Sequence, residues 1–173
     1  MNRLSGKLDR ANQQFLHVLE RNPDDLRTLG SLEQLYSDTS HPIEAAEIQR
    51  RLIRADPRAG ADAYAELGEM LKRAGKLDEA VAAMNECLAR DPYNFQSHLN
   101  LGQIFDFQKK YNDSRRNLEF VRRFFPDVNS QIYALLYEVD NALGDSKAAT
   151  EAVRFGVHLF PNDPTLWKLN QSL

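Results

Sequence analysis

AYAELGEMLKRAGKLDEAVAAMNECLARDP, residues 63–92, holds two apolar stripes and two stop signals. Tyr64, Leu67, Leu71 and Ala74 recur at helical spacing. Gly75 follows, a residue that readily takes the left-handed conformation that ends a helix. Asp78 and Glu79 suit the start of a second helix, whose macrodipole favours negative charge there. Ala80, Val81, Met84, Cys87 and Leu88 make the second stripe, and Pro92 stops it. Gly68, Ala80 and Cys87 are small, so the two helices can approach closely while larger neighbours fill the groove. The stretch reads as a helical hairpin.

The hairpin recurs. Pro23, Pro57, Pro92, Pro126 and Pro161 stand 34, 35, 34 and 35 residues apart, each opening a short polar segment. Proline disfavours helix at the residue before it, and the nearby Asp and Asn can cap the helix that follows. Between prolines there is room for two helices of roughly four turns each and two tight turns. GKLDRA at Gly6–Ala11 and GKLDEA at Gly75–Ala80 lie two periods apart, which predicts that both are the turn between paired helices.

Composition narrows the classes. A chain of 173 residues can bury a real core in one domain or one continuous array. Its net charge of −3 argues against a general polyanion binder, and so against nucleic acid. No apolar run approaches the ~20 residues of a membrane helix, and the N-terminus lacks a signal-peptide core. These features predict a soluble chain, cytoplasmic or periplasmic, without membrane insertion. One cysteine, Cys87, leaves no disulfide framework and no Cys-rich zinc site.

The pattern resembles the tetratricopeptide repeat, with its aromatic-x-x-Leu-Gly-x-x-Tyr, Ala-x-x-x-Phe and closing Pro. Tyr64, Leu67, Gly68, Leu71, Ala80, Met84 and Pro92 fit it, as do His98, Leu101, Gly102, Phe105, Ser114, Leu118 and Pro126. The preceding unit is looser. Glu33 stands where a small residue is usual, Ala45 is followed by Gln49, and Ser40-His41-Pro42 replaces the glycine turn. Lys109-Lys110-Tyr111 replaces that turn in the third unit. The last unit offers Ile132, Leu135 and Val139, then Gly144, Ala149 and Val153, with one extra residue unplaced.

The resemblance implies an all-α, right-handed superhelical solenoid of antiparallel helix pairs, with about ten helices. The expected layout is a single array over 1–173. Residues 1–23 are a half repeat with the second helix only. Full repeats follow at 24–57, 58–92, 93–126 and 127–161, and a terminal capping helix at 162–173. With no first helix before them, Phe15, Leu16 and Leu19 are expected to have an uncovered side. That predicts either a piece of a longer protein or self-association through the N-terminal helix.

The resemblance also implies a non-catalytic interaction scaffold whose first helices line a groove for a peptide or partner helix. The groove candidates are polar residues beside the apolar stripe: Arg27, Gln34 and Asp38; Asp62, Glu66, Glu69 and Arg73; Gln96, Asn100, Gln103, Asp106 and Phe107; Ser130, Glu138 and Asn141. Asp62, Glu66 and Glu69 share one helical face. The expected partner is therefore a neutral or basic segment. A carboxylate clamp for acidic chaperone tails needs Lys, Asn and Arg, but at the matching places stand Arg27 and Ser31, Asp62 and Glu66, Gln96 and Asn100. Such tails should be repelled.

The second helices carry Arg50, Arg51, Arg54, Arg115, Arg116, Arg122 and Arg123, with Phe120, Phe124 and Phe125 interleaved and expected in the core. The four histidines have no paired-ligand spacing, His98 takes a packing position, and no phosphate loop or nucleophile elbow occurs. No catalytic residue, cofactor or metal is expected. The alternative is an accessory or regulatory region cut from a larger enzyme or secretion/assembly protein.

Overall fold

The computed structural model describes the backbone of residues 3–173 and the side chains of residues 10–173. Among these residues there are ten helices and no strand. They are α1 (Arg3–Arg21), α2 (Leu26–Asp38), α3 (Pro42–Ala55), α4 (Ala61–Arg73), α5 (Leu77–Arg90), α6 (Phe95–Phe107), α7 (Tyr111–Phe124), α8 (Gln131–Ala142), α9 (Ser146–Leu159) and α10 (Pro164–Gln171). The chain divides into two compact units, one running to Tyr93 and the other from Asn94 to Leu173.

Four turns of one kind join the paired helices. Ser40 (φ 60°), Gly75 (φ 74°), Lys109 (φ 58°) and Gly144 (φ 80°) all take the left-handed conformation. In each, the next residue's N–H bonds five residues back: His41 to Tyr36, Lys76 to Leu71, Lys110 to Phe105, Asp145 to Asp140, at 2.8–2.9 Å. The left-handed residue's own N–H bonds three back, as Gly75 does to Lys72 at 3.0 Å. These paired bonds satisfy helix-end carbonyls and define the Schellman cap. Two of the four positions lack glycine, so the hydrogen bonding of the turn overrides the usual steric preference there.

The polar segments after the prolines begin the next helix. The carboxylates of Asp25, Asp145 and Asp163 and the amide oxygen of Asn94 accept backbone N–H groups at 2.8–3.1 Å. Asp25, Asn94 and Asp163 each stand two residues after a proline.

Unit 1 packs Leu19, Leu29, Leu32 and Ile48 together, with Phe15, Tyr36 and Leu52 against them. Gly68 is required by close approach, because a Cβ there would meet Met84 at 2.7 Å. Unit 2 packs Leu99, Leu118, Val121, Ile132, Leu136 and Val139. A Cβ on Gly102 would meet Leu118 at 2.7 Å, and Ser114 donates its hydroxyl to the Gly102 carbonyl at 2.7 Å. Cys87 is fully buried.

Three expectations need correcting. The first hexapeptide is no turn: α1 runs unbroken through Gly6. Its backbone is helical, and the side chains of residues 6–9 lie outside those described. Glycine only weakens a helix interior, by ~1 kcal/mol, and does not by itself break one. Leu19 is covered by α2, while Leu16 and Val18 are exposed. Finally, the motif positions of the last unit are Tyr133, Leu136 and Asp140, one residue beyond the stripe read from sequence. Asp140 occupies the Schellman acceptor place held by Tyr36, Leu71 and Phe105. The extra residue therefore lies between Pro126 and α8. The misreading has a cause: Ile132, Tyr133, Leu136, Val139 and Asp140 are all buried, so α8 offers two stripes.

Candidate functional site

Both helix sets carry both signs of charge; α5, a second helix, holds Asp78, Glu79 and Glu86. In unit 1 the first helices α2 and α4 carry Glu33, Asp62 and Glu66. None of the three forms an ion pair with Lys or Arg among the described residues. Glu66 accepts a hydrogen bond from Gln49 Nε2 at 3.0 Å. The same amide donates to the Ala63 carbonyl at 3.0 Å, so a buried glutamine of α3 holds α4 and one carboxylate together. Burial pushes the Glu66 carboxyl above its ordinary value, and the charges of Glu33 and Asp62 push it further; the Gln49 bond opposes them. No ion pair among the described residues offsets the like charges felt at Glu66.

The other candidates of this unit vary. Gln34 donates to Asp38 at 2.7 Å on the α2 surface. Glu69 is tied to Lys72 at 3.1 Å, which spends part of its charge. Arg27 and Arg73 are exposed.

In unit 2, Gln103 Nε2 donates to Gln131 Oε1 at 3.2 Å, linking α6 to α8. Asn100 is buried at 2% exposure and accepts from Gln96 at 3.3 Å, so it supports the face from below rather than presenting a free amide. Phe107 is 77% exposed. Burial pushes Asp106 up, and burial plus the Asp106 charge pushes Glu138 up. Ser130 donates to Asp163 at 2.7 Å, the residue that caps α10, which makes it structural.

The arginines of the second helices are mostly engaged. Arg50 pairs with Glu79, and Arg51 donates to the Pro23 carbonyl at 2.6 Å. Arg115 bridges Asp140 and Asp145, each at 3.0 Å. His98 stacks on Phe120 with ring centroids 3.9 Å apart and lies 2.9 Å from Asn117 Oδ1, the packing role its position predicts. Phe124 is not core; it is 44% exposed. Among the described residues no group of three or more His, Cys, Asp or Glu could hold a metal, and no helix is long and apolar enough to cross a membrane.

Sequence reading missed Glu33 and Gln49 as site residues. Their signal was departure from the pattern: Glu33 takes the place of Gly68 and Gly102, and Gln49 that of Met84 and Leu118.

Helix pairs closed by Schellman turns at this period define the helical-repeat class. Residues 61–104 match the tetratricopeptide repeat family, and the chain is an all-α protein of the tetratricopeptide-repeat fold. The crystal structure of MamA is similar with a TM-score of 0.79 and 20% identity, covering 92% of each chain. That of YrrB, described as a TPR protein with an unusual peptide-binding site, reaches 0.79 at 12% identity, over 96% of this chain and 85% of that one. The probable UDP-N-acetylglucosamine–peptide N-acetylglucosaminyltransferase SPINDLY of Hordeum vulgare is 28% identical over 97 residues, 53% of this chain. The chain spans 10% of that protein's length.

Proposed function

We propose that the chain is a non-catalytic interaction scaffold that takes a neutral or basic peptide or partner helix along its first-helix face. The observation that carries this reading is the uncompensated group Glu33, Asp62 and Glu66, whose charges oppose one another in the free protein. A cation brought against them relieves that repulsion, and complementary charge guides encounter and register. Asp106 and Glu138 add the same character in unit 2, where Phe107 offers an aromatic contact. Gln34, Gln103 and Asn100 would supply or brace polar contacts, and Arg27, Glu69 and Arg73 would border them. The same charges would repel an acidic chaperone tail. The unbroken proline period across Pro92 supports use of 1–173 as one array. The peptide-binding site ascribed to YrrB, on a similar fold, supports a peptide partner. The test is titration of the full chain with a lysine-rich peptide, repeated after Asp62→Lys and Glu66→Lys. Micromolar binding lost in the variant supports the reading; unchanged binding overturns it.

A second reading, a regulatory region of a larger enzyme, draws on the SPINDLY similarity. The length of the full gene product tests it: a product no longer than this chain would overturn it. Self-association through α1 draws on exposed Leu16 and Val18. A strictly monomeric sedimentation profile at all concentrations would exclude it.

A further inference from the structure

Both units have an open groove beside their second helices, and the two grooves differ in chemistry. Aligning the buried small residues Ala45, Ala80, Ser114 and Ala149 puts the second helices in register. In unit 1 the groove beside α3 and α5 is clasped by the Arg50–Glu79 ion pair. The corresponding places in unit 2 hold Glu119 and Ala148, so that clasp is absent, and Glu119 binds Arg122 of its own helix at 2.8 Å. Six residues beyond the small position, Arg51 and Glu86 of unit 1 are replaced by Phe120 and Phe155 in unit 2. Four residues further on, Phe124 takes the place of Ala55 and Arg90.

The result is a groove of about 560 Å³ between α7 and α9 with an aromatic floor and an arginine rim. Phe124 and Phe155 are each 44% exposed. The floor is held in place: Phe120 stacks on His98, its ring lies 4.7 Å from that of Phe124, and Phe155 lies 5.7 Å from Tyr133. Arg116, Arg122 and Arg123 border it. Arg123 has no carboxylate partner among the described residues and sits 5.4 Å from the Phe124 ring. A contiguous exposed apolar patch rimmed by polar side chains is the mark of a protein interaction site.

We propose that the α7–α9 groove docks an acidic amphipathic helix of a partner protein. Its apolar edge covers Phe120, Phe124 and Phe155, and its carboxylates meet Arg116, Arg122 and Arg123. Two flanking helices of 14 residues give a track of about 21 Å, the length of roughly four helical turns. Helix-in-groove recognition needs an apolar floor with a charged border, which is what the two helices present. A nucleic acid fits less well, because Glu119 lines the groove and the chain carries a net charge of −3. None of these residues belongs to the first-helix face, so the two sites can be tested apart.

The experiment is fluorescence anisotropy with the full chain and three labelled probes. One is a helical peptide with leucines at i, i+3, i+4 and i+7 and glutamates on its polar face. Another has glutamine for each glutamate, and the last is an oligothymidine. The expected result is saturable binding of the glutamate peptide, weakened about tenfold or more by Phe155→Glu and by Arg123→Glu at unchanged thermal midpoint. Both sites are exposed, so these variants fold. Three outcomes overturn the proposal: no binding of the glutamate peptide, equal binding of the glutamine peptide, or tighter binding of the oligothymidine. Equal binding of the glutamate peptide by the wild type and both variants overturns it as well.

Discussion

Arg115 Nε lies 3.0 Å from Oδ1 of Asp140, a carboxylate only 1% exposed. The other end of the guanidinium reaches Asp145, which caps α9, at 3.0 Å. Both partners depart from the repeat. The places of Asp140 in the other units hold Tyr36, Leu71 and Phe105, and those of Arg115 in the preceding second helices hold Ala46 and Val81. Apolar residues have been exchanged for an ion pair, and each charge depends on the other.

Removing one partner should therefore cost more than removing both. Arg115→Ala strands a buried carboxylate and is expected to destabilise by about 3 kcal/mol, the low end for a buried pair because Arg115 is a third exposed. Arg115→Val with Asp140→Leu, which restores the residues of the second full repeat, should recover most of the loss. Urea unfolding midpoints check this; a single variant as stable as the wild type would show that the pair carries no weight.

The four Schellman turns make a second prediction. Ser40→Gly and Lys109→Gly relieve a left-handed side chain and should each stabilise by about 0.5–1 kcal/mol, while Gly75→Ala and Gly144→Ala should each destabilise by about 1–2 kcal/mol. Opposite signs at equivalent positions, read from thermal melts, are the expected pattern.

Close packing makes a third. Gly102→Ala would set a methyl group 2.7 Å from Leu118, a buried side chain of the unit 2 core. Overpacking of this kind costs about 1–3 kcal/mol. Gly30→Ala meets nothing within 4 Å and should be neutral or slightly stabilising, which makes it the control for the same melt.

How much of this was legible follows from where the signals sit. The period was plain because Pro23, Pro57, Pro92, Pro126 and Pro161 follow the second helices at a near-constant spacing. Ser40 and Lys109 carry no such mark, yet the spacing located their turns. The register of α8 was misread by one residue, since a helix buried on two adjacent stripes satisfies either. The continuity of α1 through Gly6 was hidden because GKLDRA differs by one residue from the turn-forming GKLDEA, and a glycine only weakens a helix without ending it. At the first-helix face, Asp62 and Glu66 were visible as charge at helical spacing. Gln49 was not, because a glutamine at a packing position looks like a poor match until its amide is seen joining two helices.

Titration adds a fourth prediction. Burial holds Glu66, Asp106 and Glu138 above the ordinary carboxylate range, so their folded pKa values exceed the unfolded ones. Their ionisation disfavours the fold, and that loss of stability sets in as pH rises from the ordinary carboxylate value through the raised ones. Asp25, Asp145 and Asp163 act in the opposite sense: their hydrogen bonds lower them, and their contribution disappears as pH falls below the ordinary value through the folded one. Glu66→Gln should thus be at least as stable as the wild type at neutral pH. A clear loss of stability in that variant would contradict the repulsion inferred for Glu33, Asp62 and Glu66.

Calorimetric titration of the full chain with a lysine-rich peptide at neutral pH, run at low and high salt, tests the first-helix face most directly. The account predicts micromolar binding that weakens as salt is raised, as the peptide's cations meet the carboxylates of Glu33, Asp62 and Glu66. It also predicts loss of that binding on Asp62→Lys with Glu66→Lys. Binding of an acidic C-terminal peptide in that face with comparable affinity, or lysine-peptide binding that the charge reversal leaves unchanged, would contradict it.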